Sequence, residues 1–86
     1  MTKKLTVKNE MGLHTRPATT IVKLLQKVKS DVTFQLGEET VNAKSILSLL
    51  MLAAKQNARI TVIVEGEDAE KTMTQLSLAF ENRFGE

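Results

Sequence analysis

The spacing of apolar residues along this chain switches repeatedly between a period of two and a period of about 3.6. The shorter period is typical of a strand with one buried face, and the longer one of a helix with one buried stripe. The switches give the element order βαββαβα. Because each strand has only one apolar face, we predict an α+β fold, a mostly antiparallel sheet with its helices packed on one side. At 86 residues the chain has room for one core, so we expect a single domain over residues 1–86.

Four short segments carry the strand pattern. They are centred on Leu5–Val7, Val32–Leu36, Glu39–Ala43 and Ile60–Val64. Gly37 and Glu38 separate the second segment from the third, and two residues are enough for a tight turn between antiparallel strands. The second and third strands are therefore expected to form a hairpin.

The first two helical segments each have a recognisable start. The first begins around Pro17, which suits the first turn of a helix because its missing N–H has no partner there. Its apolar stripe consists of Ala18, Ile21, Val22, Leu25 and Val28. The second runs from Ile46 to Ala54, with Ser45 as its predicted N-cap. Asn57 is expected to end this stretch in the left-handed conformation.

The last helical segment has Asp68 as its predicted N-cap. Its apolar stripe consists of Ala69, Met73, Leu76, Phe80 and Phe84. Arg83 falls in the last turn of this predicted helix, where a cation suits the negative end of the helix dipole. One stripe of the helix should therefore pack against the core while its other faces meet water.

Composition excludes several function classes. The formal net charge is only +2 and the aromatic content is 3%, all of it Phe, so a nucleic-acid binder with stacking side chains is disfavoured. The absence of Cys excludes disulfides and thiol chemistry. No apolar run approaches the ~20 residues of a membrane span, and no signal peptide follows Met1. We therefore expect a cytoplasmic protein without membrane insertion.

His14 is the only histidine and stands just before a predicted helix. One interpretation is a surface histidine without a chemical role. A metal site is poorly supported, because one His without Cys or clustered carboxylates cannot complete a ligand set. The alternative is an anion site, because a helix N-terminus offers free N–H groups and Arg16 can pair with phosphate oxygens. With Pro17 fixing the start of the helix, a neutral imidazole is suited to accept a phosphoryl group and pass it on.

The segment from Asn42 to Leu50 is the second candidate for function. Ser45 is expected to cap the helix that follows it. That helix is apolar nearly all round, so some of Ile46, Leu47 and Leu50 should be exposed, and exposed apolar patches mark interfaces. A phosphate on Ser45 would be tolerated at the helix N-terminus and would change the surface beside the patch. The pattern therefore indicates partner binding with a switch.

Two stretches carry a family resemblance, Gly12–Ala18 (GLHTRPA) and Asn42–Ile46 (NAKSI). Together, in a chain of this length and element order, they resemble the HPr family, the histidine-containing phosphocarriers of the bacterial phosphoenolpyruvate-dependent phosphotransferase system. The resemblance covers essentially the whole chain. It implies an open-faced β-sandwich, a four-stranded antiparallel sheet covered on one face by three helices. It also implies a monomeric carrier in sugar uptake and its regulation, which needs no cofactor and is not an enzyme.

The resemblance further implies roles for individual residues. His14 would accept phosphate on Nδ1 from phosphorylated enzyme I and donate it to an enzyme IIA domain, and Arg16 would stabilise the phosphoryl group. The start of the helix would support the phosphate through Thr15, Pro17 and Ala18. Partners would dock over Ile46, Leu47 and Leu50, with Thr19 and Lys23 nearby. Ser45 matches the position that the HPr kinase/phosphorylase modifies in species that have that enzyme.

Three alternatives stay open at this point. The nitrogen-type paralogue, NPr, shares the His-x-Arg-Pro motif and serves a regulatory phosphorelay. An acylphosphatase-like hydrolase would use Arg16 as a phosphate cradle and Asn42 to position water, although the chain lacks that family's Gly-rich loop followed by Phe-Arg. A plain interaction module is the third. The Crh-type paralogue lacks the histidine, so His14 argues against it. Ala53 and Asn57 stand where many HPr members have Gly, and Asn57 can mimic Gly in the left-handed conformation.

Overall fold

The computed structural model describes every residue from Met1 to Glu86 and has the predicted element order βαββαβα. The strands are β1 (Thr2–Thr6), β2 (Asp31–Leu36), β3 (Glu39–Asn42) and β4 (Arg59–Glu65). The helices are α1 (Thr15–Leu25), α2 (Ile46–Leu52) and α3 (Ala69–Glu81), and a 3-10 turn (Arg83–Gly85) follows α3.

The four strands form one antiparallel sheet in the order β1-β4-β2-β3. The last strand in sequence, β4, lies between β1 and β2, with Ile60 opposite Leu5 and Val62 opposite Phe34. These four side chains are buried, whereas Thr61 between them on β4 is only half-buried. The alternation leaves one face of the sheet open and the other covered by helices, so the predicted fold class is confirmed. The predicted hairpin between β2 and β3 is also present.

A single cluster of buried apolar residues lies between the sheet and the helices. Phe34 of β2 and Phe80 of α3 meet edge to face, with ring centres 5.8 Å apart. Phe84, in the turn after α3, packs on Phe80 with a centre-to-centre distance of 4.9 Å. All three rings are buried, and burial of apolar surface is the main term that stabilises a fold of this size. The three phenylalanines therefore hold α3 and the segment after it on the sheet.

The second helix ends earlier than predicted. α2 stops at Leu52, and Ala53 takes the left-handed conformation at φ 53° with its N–H donating to Leu50 O at 3.1 Å. Asn57 is also left-handed, at φ 74°, but it lies in the turn that follows. Left-handed backbone costs an alanine about 1–2 kcal/mol. The stop leaves the Ala54 carbonyl free to accept a hydrogen bond from outside the helix, which local spacing could not predict.

The first and third helices also end before their apolar stripes do. α3 stops at Glu81, and Phe84 is buried from the 3-10 turn with a left-handed φ of 54°. Arg83 consequently lies beyond the last turn of α3 rather than in it. α1 stops at Leu25, and Val28 follows in a turn in which its N–H donates to Leu25 O. An apolar residue can be buried by a turn as well as by a helix, so its spacing does not fix where the helix ends.

Asp68 occupies the N-cap position of α3 as predicted, but its side chain makes no hydrogen bond to that helix. The carboxylate instead accepts the backbone N–H groups of Lys29 and Ser30, each at 2.9 Å, and the Ser30 hydroxyl. The bond from the Ser30 hydroxyl, and after it the bond from Lys29 N–H, lower the pKa of Asp68 to about 2. The predicted N-cap position is therefore confirmed without a side-chain capping bond, and the carboxylate ties the start of β2 to the start of α3.

We expect Asp68→Asn to lower the free energy of unfolding at neutral pH, because a neutral amide accepts these hydrogen bonds less strongly. A carboxyl group with a depressed folded-state pKa stabilises the fold above its unfolded pKa of about 4. That contribution is lost as the pH falls through the folded pKa, which is about 2. The difference in stability between wild type and Asp68→Asn should therefore shrink from about pH 4 to about pH 2.

Urea unfolding over this pH range measures the effect. Asp31→Asn is the control, because Asp31 is an exposed aspartate whose side chain makes no hydrogen bond. If Asp68→Asn costs no more stability than Asp31→Asn at pH 7, the tie between β2 and α3 is not a stabilising contact.

Candidate functional site

His14 is the N-cap residue of α1. Its backbone is extended, with φ −77° and ψ −170°, and its carbonyl accepts Ala18 N–H at 3.0 Å to close the first turn. The side chain does not cap the helix and is 31% exposed. The imidazole is therefore free to act as a ligand or nucleophile at the positive end of α1.

The loop before His14 is held by backbone contacts. Gly12 is left-handed at φ 68°, and its N–H donates to Asn9 O at 3.0 Å. Leu13 is buried, and its N–H donates at 2.9 Å to Ala54 O, just beyond α2. A Cβ on Gly12 would overlap that same Ala54 carbonyl. The loop therefore fixes His14 beside the end of α2.

The start of α1 offers a small set of free donors. Thr15 and Arg16 are its first two residues, and such positions have N–H groups without a helical acceptor. Pro17 has no N–H, and the Ala18 N–H is already bonded to His14. The Arg16 side chain is 77% exposed. An anion beside His14 would therefore meet two backbone donors and one exposed cation.

Glu86 is a site residue that the sequence did not reveal. Both oxygens of its side chain lie 3.2 Å from His14 Nε2, and Oε2 is 4.0 Å from an Arg16 nitrogen. Oε1 also accepts the Asn9 amide at 2.6 Å. The turn after α3, anchored by buried Phe84, brings this carboxylate back to the start of α1. No local pattern signals the contact, because it depends on how the end of the chain packs.

The Glu86 carboxylate is ionised at neutral pH. Its side chain is only 22% exposed, and this burial is the largest influence, which by itself raises the pKa. The hydrogen bonds from Asn9 and His14, with the charges of His14 and Arg16, outweigh the burial and leave the pKa of Glu86 below its usual 4.5. The result is a fixed negative charge on the Nε2 side of the imidazole.

The NAKSI stretch forms the turn into α2. Asn42 Oδ1 accepts Lys44 N–H at 2.9 Å, and Lys44 Nζ donates to Val28 O at 2.8 Å. Ser45 caps the helix, with its hydroxyl accepting Ser48 N–H at 3.2 Å, so the predicted cap is confirmed. Asn42 is thus used to shape a turn, which leaves the acylphosphatase alternative without its water-positioning residue.

One side of α2 presents apolar side chains to solvent. Leu49 and Leu52 are buried, whereas Ile46 is 38%, Leu47 67% and Leu50 36% exposed. The expected exposure on this helix is therefore confirmed, and these three residues are called the apolar surface below. Met51 adds a further exposed side chain at 70%.

Two polar residues of α1 were predicted to flank the apolar surface. Thr19 is half-buried and its hydroxyl donates to Thr15 O at 2.8 Å, and Lys23 is exposed one turn later. Thr15, Thr19 and Lys23 share one face of α1 because they are spaced by four residues. A role for Thr19 and Lys23 in partner binding stays a prediction.

Other kinds of site are not evident in this structure. No three His, Cys, Asp or Glu side chains cluster in a way that could hold a metal ion. No helix is both long and apolar enough to cross a membrane.

Fold and site together define a class: a small α+β domain that presents a histidine and an arginine at a helix N-terminus and exposes an apolar surface on the next helix. The family described as the PTS HPr component phosphorylation site matches residues 1–82. The phosphocarrier protein HPr of Chlamydia muridarum is 44% identical over 80 residues, which cover 93% of this chain and 77% of that protein. The chain therefore belongs to the HPr family, the phosphocarrier proteins of the phosphotransferase system.

Two solved structures from Thermoanaerobacter tengcongensis show the same fold. HPr-C-His superimposes with a TM-score of 0.95 at 32% identity, covering 100% of this chain and 97% of that one. An HPr dimer superimposes with a TM-score of 0.80 at 35% identity, covering 93% of this chain and 92% of that one. The predicted open-faced HPr sandwich is therefore confirmed by fold as well as by family.

We expect Gly12→Ala to destabilise the protein by more than about 2 kcal/mol, because it combines left-handed strain with a steric overlap. Its Cβ would overlap Ala54 O and lie 2.9 Å from the Lys55 Cα. Gly37→Ala is a matched control, since Gly37 has φ +62° with no atom within 4 Å of an added Cβ. The Gly37→Ala variant should lose only the stability that left-handed backbone strain costs, about 1 kcal/mol.

Urea midpoints of the two glycine variants separate overlap from strain. Equal losses of stability in the two variants would mean that the His14 loop does not depend on its close approach to Ala54.

Proposed function

We propose that His14 accepts a phosphoryl group on Nδ1 from phosphorylated enzyme I and donates it to an enzyme IIA domain. The observation that carries this proposal is the placement of the imidazole and Arg16 at the same helix N-terminus. Membership of the phosphocarrier family supports the reaction class. The protein would be a carrier rather than an enzyme, because each transfer consumes the free histidine and the next one regenerates it.

The transfer needs few groups. A lone pair on Nδ1 attacks the donor phosphorus, the new N–P bond forms, and the old bond breaks with its electron pair passing to the donor. The phosphoryl oxygens then face the N–H groups of Thr15 and Arg16 and the Arg16 guanidinium. Because that guanidinium is 77% exposed, its hold on the phosphate is loose. A loosely held group remains available for transfer onward.

The apolar surface on α2 is the proposed docking site for both partners, with Thr19 and Lys23 at its flank. It follows the Ser45 cap and lies on the helix whose end contacts the His14 loop. A relay needs short-lived complexes, which small apolar contacts and salt-screened charges provide. The chain is proposed to act as a monomer in the cytoplasm, although an HPr relative forms a dimer. Sedimentation as a dimer at micromolar concentration would contradict the monomer.

Ser45 is the proposed regulatory phosphorylation site, for an HPr kinase/phosphorylase where the organism has one. The half-buried hydroxyl caps α2 at the edge of the apolar surface. A phosphate there would be tolerated by the helix N-terminus and would place about two negative charges beside the docking residues. Modification should therefore weaken docking without unfolding α2.

The sugar-uptake branch is the proposed setting, and the nitrogen-type relay is the alternative. Both branches use the same histidine chemistry. The identity of the enzyme IIA domain that takes phosphate from His14 decides between the two branches.

We expect wild type to gain one phosphate from phosphoenolpyruvate and enzyme I, seen by intact mass at neutral pH and lost in acid. His14→Ala should gain none, because the acceptor nitrogen is gone. Arg16→Ala should be phosphorylated about tenfold more slowly, as expected for losing one charge-assisted contact to the phosphate. Lys71→Ala is the control, since Lys71 is an exposed cation in the first turn of α3 and makes no contact with His14 or Glu86. A phosphate retained by folded His14→Ala would end the proposal.

Leu47→Ser should raise the KM of enzyme I for this protein about fivefold or more, because a central apolar contact would be lost. Leu78→Ser is the matched control, since Leu78 is a leucine of α3 with 58% exposure against 67% for Leu47. Ser45→Asp should also raise the KM, whereas Ser45→Ala should only cost the cap, about 1 kcal/mol of stability. Equal KM values for Leu47→Ser and Leu78→Ser would exclude the apolar surface as the docking site.

A further inference from the structure

We infer that Asn9 and Glu86 form a positioning relay that holds the proton of His14 on Nε2 and so leaves Nδ1 as the nucleophile. The inference rests on the proposed acceptor role of His14 and adds the groups that select its reacting nitrogen. It is carried by the contact geometry at the end of the chain. Neither residue belongs to either of the two motifs that the sequence singled out.

The direction of the hydrogen bond follows from the carboxylate. Both Glu86 oxygens lie 3.2 Å from Nε2, and an ionised carboxylate can only accept. The nitrogen facing it must therefore carry the hydrogen. In a neutral imidazole the other nitrogen then has the free lone pair, and no group hydrogen-bonds His14 Nδ1 in this structure. Glu86 thus plays the part of the carboxylate that orients a histidine in other catalytic pairs.

Asn9 fixes the position of Glu86. Its side chain is buried, with 2% of the residue exposed, and the amide nitrogen donates to Arg83 O at 2.8 Å and to Glu86 Oε1 at 2.6 Å. These two acceptors determine which way the amide points. The amide oxygen is left buried with no partner, a costly arrangement that persists because the nitrogen is held toward Glu86. The relay therefore runs from a rigid buried amide to a partly buried carboxylate to the imidazole.

The same arrangement suits the transfer step. When Nδ1 forms its bond to phosphorus, the electron pair of the breaking bond passes to the donor and no proton has to leave the ring. The ring of His14 becomes cationic while keeping its Nε2 hydrogen. The Glu86 carboxylate lies against that hydrogen and neutralises the new charge. In the onward transfer the ring leaves as neutral imidazole, because Glu86 keeps the hydrogen on Nε2, and neutral imidazole is a better leaving group than the imidazolate anion.

The tautomer is tested by NMR of the untagged chain with 15N-labelled histidine at neutral pH, in the absence of any phosphoryl donor. Wild type should show a slowly exchanging Nε2–H signal and an unprotonated Nδ1. Glu86→Gln, which keeps an acceptor oxygen, should retain the signal. Glu86→Ala should lose it to fast exchange. Glu81→Ala is the control, because Glu81 is a carboxylate at the end of α3 that pairs with Lys8 and not with His14.

The effect on transfer is tested by using the same variants as acceptors of the phosphoryl group from phosphorylated enzyme I. Glu86→Ala should lower kcat about tenfold with KM unchanged, since the carboxylate acts on the reacting ring and not on docking. Glu86→Gln should fall between Glu86→Ala and wild type. Asn9→Ala should show a smaller loss than Glu86→Ala, since Asn9 acts only through Glu86. Glu81→Ala should match wild type.

Two results would overturn the inference. An Nε2–H signal that is unchanged in Glu86→Ala, together with an unchanged kcat, would remove Glu86 from the mechanism and leave the proposed function intact. A wild-type chain that never gains phosphate on His14 would overturn both proposals, even with the Nε2–H signal in place.

Discussion

The hydrogen bond from Leu13 N–H to Ala54 O is the contact on which the placement of His14 relative to α2 depends. It joins two loops that are far apart in sequence, one leading into α1 and the other leaving α2. Because α2 ends at Leu52 with Ala53 in the left-handed conformation, the Ala54 carbonyl lies outside the helix and can accept this bond. Because the loops touch, Gly12 has no room for a side chain. One backbone bond thus places His14 and the apolar surface on neighbouring elements.

The features of the fold that could be predicted from the sequence are those that depend only on residues close together along the chain. Period-two and helical spacing identified every strand and helix, and Ser45 was recognised because a cap is defined within three residues of its helix. The left-handed stop at Ala53 was missed because Leu13, which bonds to the carbonyl just after it, lies on another element. Glu86 was missed for the same reason, since the turn after α3 has to fold before the carboxylate meets His14. Contacts between residues that are far apart in the sequence cannot be predicted from the periodicity of apolar residues.

The contact of Asp68 and the start of α1 hold their neighbours with different firmness. Asp68 fastens the start of β2 to the start of α3 by accepting hydrogen bonds from two backbone N–H groups and the hydroxyl of buried Ser30. The start of α1 carries an exposed Arg16 and two free N–H groups. A site that held phosphate as firmly as Asp68 holds β2 would trap it. The contacts of Asp68 lie away from the start of α1, so they stabilise the fold without occupying its free donors.

A carboxylate beside a phosphoryl acceptor would oppose the reaction if it shared the acceptor's space. In the proposed phosphorylated state the imidazole ring would separate the two charges, with Glu86 on the Nε2 edge and the phosphoryl group on Nδ1. Repulsion falls with distance, whereas the contact at Nε2 is direct and only 22% of the carboxylate side chain is exposed. The attraction between Glu86 and a cationic ring should therefore exceed its repulsion of the phosphate. This attraction favours acceptance of the phosphoryl group, whereas release is helped because Glu86 keeps the Nε2 hydrogen and the ring can leave as neutral imidazole.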